Sequence, residues 1–152
     1  MVNVIKLGNW IVTYDRVETE SVYSTIKVGG PEICGCSMCK NFIMLRDKVH
    51  PSEAIELYGK LGISYHKESE VYHFARIADG RHKYGGVFHF VGSVKETPSA
   101  DGSSGSIQMR NGYSLQFSSK RELVPREFGQ REVGQIIFDA LVPWIVDLPE
   151  PE

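Results

Sequence analysis

Two runs of β-branched and aromatic residues, Glu70 to Ile77 and Tyr84 to Val94, flank a polar stretch that contains Asp79-Gly80. An Asp-Gly step between two such runs demands an antiparallel hairpin, because the left-handed backbone of that turn suits few other residue pairs. With a two-residue turn at Asp79-Gly80, Tyr72, Phe74, Val87, His89 and Val91 share one face. His73, Ala75, Tyr84, Phe88 and Phe90 share the other. Neither face is polar, so the pair is expected to be covered on both sides.

The same grammar recurs elsewhere. Asn111-Gly112 separates Ile107–Arg110 from Tyr113–Phe117 and predicts a second hairpin. Val133 to Val146 is the most apolar run of the chain and reads as a buried strand that bends or ends at Pro143. Near the start, Asn9–Tyr14 and Ser21–Val28 read as strands joined through Asp15–Glu20. Two helices are expected after this first hairpin. One begins near Ser37, read as its N-cap, and continues through Leu45. The other starts at His50-Pro51, presents Ala54, Leu57, Tyr58 and Leu61 on one face, and stops at Gly62 with Ile63 folded back on its last turn. The expected class is α+β, with a mainly antiparallel sheet of six or seven strands. At 152 residues the chain fits one domain, 1–152, with a flexible Gly/Ser-rich loop at 97–106 and a frayed acidic tail at 149–152.

All three cysteines, Cys34, Cys36 and Cys39, lie within six positions, after Gly29-Gly30-Pro31 and before the first expected helix. The spacing C-x-C-x-x-C puts Cys39 in the first helical turn and Cys36 just outside it. Unpaired N–H groups and the helix dipole favour thiolates there, so these two are expected to be the more acidic thiols. Three chemistries fit. The sulfurs can supply most of a tetrahedral zinc site, with His89 as the first choice of fourth ligand and His50 as a weaker one better explained as a helix cap. Cys36 and Cys39 can instead exchange a disulfide, with Cys34 as a resolving thiol. Or the thiols are small buried hydrophobes, and a small-molecule or protein partner binds the aromatic sheet around Tyr72, Phe74 and His89.

His89 is preferred because Gly85, Gly86 and Gly92 allow a ligand or another backbone to approach the sheet closely. Its alternative is a core histidine bonded to backbone, which is also the reading of His73. Arg81, His82 and Lys83 read as a solvated basic turn. No catalytic residue is identified, and Glu32, Asn41 and Arg46 read as packing or surface residues.

Lysine and arginine number 17 against 19 acidic residues, which gives no electrostatic reason to expect nucleic acid or an acidic membrane as partner. No apolar run is long enough for a secretory signal or a membrane span, and an odd number of cysteines suits a reducing compartment, so a cytoplasmic protein is expected. The segments Cys34-Gly-Cys-Ser-Met-Cys-Lys-Asn-Phe42, Tyr84-Gly-Gly-Val-Phe-His-Phe90 and Leu123-Val-Pro125, with a final strand ending in Pro143-Trp144, resemble a group of uncharacterised bacterial proteins of similar length. That resemblance implies no activity and transfers no residue role.

Overall fold

The computed structural model describes residues 2–98 and 105–152. Its spine is β4 (His82–Glu96), which pairs antiparallel with β7 (Val133–Val142) from His82↔Val142 to Val91↔Val133. Beyond β7 lie β6 (Ser114–Ser118) and β5 (Ile107–Gln108). On its other edge the first part of β4 pairs with β3 (Glu70–Arg76), and its last part pairs with β2 (Trp10–Asp15), which pairs with β1 (Val2–Leu7). The result is one seven-stranded antiparallel sheet, with helices supplied by residues 16–61. The α+β class holds.

Between β3 and β2 a stretch of the β4 edge has no strand beside it, and its buried backbone groups need other partners. Helix α1 (Arg16–Thr25) supplies two of them. Tyr23 Oη donates to the His89 carbonyl at 2.7 Å, and Thr19 Oγ1 accepts from Val91 N at 2.9 Å. Ser69 N donates to the Val87 carbonyl at 2.8 Å. The stretch read as a second strand, Ser21–Val28, is therefore largely this helix, and the first hairpin is β1–β2 around Gly8-Asn9. Asp15, expected in a connection, is the helix N-cap and accepts from Glu18 N. Thr19, Val22, Tyr23 and Ile26 are buried at helical spacing, so the tertiary face decided between two patterns that the same residues satisfy.

Helices α3 (Ser37–Val49) and α4 (Ser52–Leu61) cover one face of the sheet. Phe42 and Tyr58 pack on Tyr84, Phe88 and Phe138 with ring centroids 4.7–6.2 Å apart. In α4, Ala54, Tyr58 and Leu61 are fully buried. Gly62 caps the helix at φ 88°, and Ile63 N donates back to the Tyr58 carbonyl as the sequence indicates. Cys36 rather than Ser37 caps α3, and Pro51 stands one position before α4 rather than in it.

The Asn111-Gly112 turn has both residues at positive φ, 60° and 74°, the backbone of a tight hairpin. The other hairpin closes differently from expectation. Ile77 N bonds to the Arg81 carbonyl across Ala78-Asp79-Gly80, a three-residue loop, and a bulge follows between His73 and Ala75. Tyr72 stays on the face of Val87 and His89, but Ala75 comes to lie opposite Lys83. His82 is not part of a solvated turn. It is fully buried, with Nδ1 2.8 Å from His73 Nε2 and its ring 5.3 Å from Trp144. Nor is Glu150 in a free tail, since its carboxylate pairs with Arg76 at 3.0 Å and lies 3.3 Å from His82 Nε2. Most of the expected flexible loop, residues 99–104, lies outside the described residues.

Candidate metal centre

The cysteines sit where one short helix ends and a longer one begins. Helix α2 (Gly30–Cys34) carries Pro31 in its first turn, where a missing N–H costs nothing, and ends at Gly35. Gly35 takes the left-handed conformation, φ 66°, and its N–H donates to the Pro31 carbonyl at 3.0 Å. That cap reverses the chain within one residue and delivers Cys36 to the N-cap of α3, with Cys39 one turn inside. The three sulfurs consequently lie within 4.8 Å of one another. Thiolates about 2.3 Å from a tetrahedral zinc are roughly 3.8 Å apart, so a small contraction around one ion brings all three into its coordination sphere.

Burial grades across the cluster: Cys34 is exposed, Cys36 half-buried and Cys39 buried. Burial works against ionisation of Cys36. It is outweighed by hydrogen bonds from Cys39 N, at 3.4 Å, from Met38 N and from the two neighbouring thiols, which hold the Cys36 thiol below its ordinary value. Cys39 goes the other way, raised chiefly by burial and then by the neighbouring thiols. The expectation that both would be acidic thus holds for Cys36 alone. Tyr84, whose hydroxyl donates to the Met38 carbonyl at 2.8 Å, is pushed up to about 12 by burial, with charge on Cys39 and Cys36 adding to it.

His89 does not join the group. Its Nδ1 is 2.8 Å from Ser69 Oγ and its Nε2 2.8 Å from the Glu122 carbonyl, so both ring nitrogens are engaged elsewhere. The fourth-ligand assignment is corrected accordingly. Among the described residues, no histidine or carboxylate oxygen lies with the three sulfurs. The close approach that the glycines permit is taken by the protein itself. Rings of Tyr72 and Phe74 cover Gly85, Phe138 covers Gly86, and the β2 backbone meets Gly92. Tyr72 and Phe74 stack edge to face at 5.1 Å, with Lys83 Nζ 5.1 Å from the Phe74 centroid.

What anchors the cluster from behind is a buried polar chain that no local sequence signal announces. Arg46 of α3 forks onto Glu32 of α2 at 2.7 and 2.8 Å, and onto Glu68 at 2.8 and 3.1 Å. Glu68 also faces His50 Nε2 at 3.3 Å, and His50 Nδ1 lies 2.8 Å from the Tyr113 hydroxyl, which bonds to Tyr58. A carboxylate only accepts, so Nε2 carries the imidazole proton and Tyr113 donates to Nδ1, leaving the Tyr58 hydroxyl to donate to Tyr113. His50 is a linchpin of this chain rather than a cap or a metal ligand. Gly30 N, donating to the Glu68 carbonyl at 2.8 Å, ties α2 into the same unit.

Two buried histidines make the stability of the fold pH-dependent. Burial lowers His50 below its ordinary 6.5, against the opposing pull of Glu68, and burial lowers His89 to about 4. Between pH 6.5 and about 4 the unfolded chain binds protons that the folded protein refuses. The stability these rings contribute is therefore full above pH 6.5 and falls below it, by up to about 1.4 kcal/mol per pH unit down to about pH 4 for His89, with His50 adding a loss of the same sign. Glu32, lowered mainly by its hydrogen bonds to Arg46, adds a further loss as pH drops through the carboxylate range. Urea midpoints at pH 7.5, 6.0 and 5.0 are expected to decline in that order; a flat profile would mean that these rings are not buried neutral.

Fold and site together define an α+β protein with a three-thiol cluster at a helix–helix junction. Comparison with protein-family models, curated proteins and solved structures gives no match to the chain. Among the described residues no helix is long and apolar enough to cross a membrane.

Proposed function

We propose that Cys34, Cys36 and Cys39 hold one zinc ion in a non-catalytic role, pinning the end of α2 to the start of α3 in a binding or structural unit of a protein of a reducing cytoplasm. The observation that carries this reading is the convergence of three sulfurs within 4.8 Å, on a backbone that already reverses at Gly35. Soft thiolates with no other donor type among them suit zinc, and the helix N-terminus favours the negative charge they bring. A water or an outside donor completes the tetrahedron.

Such a site contributes folding free energy directly. With free zinc at roughly a thousand times its dissociation constant, the gain is about 4 kcal/mol, or roughly 10 °C in melting temperature for a chain of this size. Melting curves of the zinc-loaded protein and of the same protein after chelation test this. Equal melting temperatures, with Cys39→Ser also unchanged, would contradict the proposal.

One observation favours a second reading. An acidic, half-buried Cys36 at a helix N-cap followed three residues later by a buried, non-acidic Cys39 is the asymmetry of a thiol–disulfide exchange pair. Cys39→Ser separates the readings: it weakens a zinc protein, and it leaves a redox protein folded but inactive.

A further inference from the structure

Ser69 stands just before β3, held against β4 by its N–H to the Val87 carbonyl. Its hydroxyl is 2.8 Å from Nδ1 of His89, and Nε2 of the same ring is 2.8 Å from the Glu122 carbonyl. A carbonyl can only accept, so Nε2 carries the proton. Nδ1 is then a lone pair, and the Ser69 hydroxyl must be the donor. The ring has no freedom to change this. His89 is fully buried, its own carbonyl accepts from Tyr23, and the Phe128 ring lies 6.0 Å away. Burial keeps the ring neutral at pH 7 and also lowers its basicity, to about 4, so what favours it as a base is its geometry toward Ser69 rather than its pKa. A hydroxyl, a base within hydrogen-bond reach and a third group orienting the base form the constellation that activates serine.

The surroundings also suit a ligand. Ser69 lines an open cavity of ≈ 320 Å³ together with Val28, Ile33, Leu123 and Arg126, with Glu127 and the Arg46-paired Glu68 also on its wall. The three apolar residues are 46%, 77% and 58% exposed, far more than a chain of this kind needs to leave in water at one place. Among the described residues, no hydrogen bond or ion pair engages the Arg126 guanidinium. Leu123 holds a positive φ of 56°, a strained conformation for its side chain. The residue before it supplies the carbonyl that orients His89, so the strained turn serves this constellation.

We propose that Ser69 is a nucleophile and His89 its general base, in a site that hydrolyses carboxylic esters with a small apolar acyl group. The acyl group packs on Val28, Ile33 and Leu123, and of the two cations on the cavity wall Lys67 is held by the Tyr23 carbonyl, which leaves Arg126 for the developing oxyanion. Ser69 Oγ bonds to the ester carbonyl carbon as its proton passes to His89 Nδ1. Collapse of the tetrahedral intermediate breaks the bond to the alkoxide, which leaves as the alcohol with that proton. Water then attacks the acyl-serine, gives a proton to Nδ1 and releases the acid, and the proton returns to Ser69 Oγ. Ester and water become acid and alcohol, with no oxidant or metal in the balance. The cysteines take no part, so this inference and the zinc reading stand or fall separately.

The test uses the 152-residue protein as purified, with p-nitrophenyl butyrate as substrate and an alkyl fluorophosphonate as covalent probe. The expected results are a phosphonyl adduct on the Ser69 peptide by mass spectrometry, and hydrolysis at least 100-fold lower in Ser69→Ala. His89→Gln should abolish labelling while circular dichroism remains native. If either variant fails to fold, labelling of the unaltered protein decides alone. An unlabelled Ser69, or an adduct on a cysteine instead, overturns the proposal.

Discussion

Arg46→Ala is expected to cost about 3–5 kcal/mol of stability, or to leave no folded protein, because it strands a carboxylate in the interior. Arg46 is 5% exposed, and the Glu68 side chain it neutralises has no exposure at all. With the guanidinium gone, Glu68 keeps only His50, a ring that its burial holds neutral. Glu32 loses both hydrogen bonds, and α2 loses its ionic tie to α3. Arg46→Lys retains the charge but cannot fork onto two carboxylates, so it should fall between the two. Urea unfolding of the three proteins measures the series. A loss below 1 kcal/mol for Arg46→Ala would show that the buried chain is not what joins the helices to the sheet.

The second large effect is expected at Gly92, where β4 leaves its pairing with β7 and turns to β2. Its φ is 151°, and a Cβ built there would stand 1.9 Å from the Thr13 carbonyl oxygen and 2.9 Å from Tyr14 Cα. Both obstacles are backbone of the paired strand and cannot swing aside. Gly92→Ala should therefore combine backbone strain with overpacking, about 3 kcal/mol or more. Gly59→Ala is the internal control. It lies within α4 with nothing within 4 Å of its Cβ position, and alanine there should stabilise by about 0.5–1 kcal/mol. Equal effects at the two positions would refute the account of β4 as a strand shared between two pairings.

The features legible in the sequence were those decided within a few residues. Asp79-Gly80 and Asn111-Gly112 announced two hairpins, Gly62 ended α4, and the cysteine spacing put Cys36 and Cys39 at the start of α3. Where long-range contacts decide, the reading failed. Val22, Ser24, Ile26 and Val28 alternate like a strand, while Thr19, Val22, Tyr23 and Ile26 repeat like a helix. Only the bare edge of β4 selects the second. Asp15 followed three residues on by Glu18 is the one local signal for this helix start.

The same holds for the site. Glu32, Arg46 and Glu68 are separated by 14 and 22 positions, so their shared charge pairing is invisible to any local motif. His89 stands out among the glycines of β4 and is expected as a metal ligand, but its partners are Ser69 and Glu122, 20 and 33 positions away, rather than the cysteines.

Whether the three thiols hold a metal is tested most directly by native mass spectrometry of freshly purified protein, with and without chelator and with and without reductant. The expected result is one zinc per chain, released by chelator together with loss of structure. Three free thiols with no metal would contradict it, as would a mass two protons light that reductant restores.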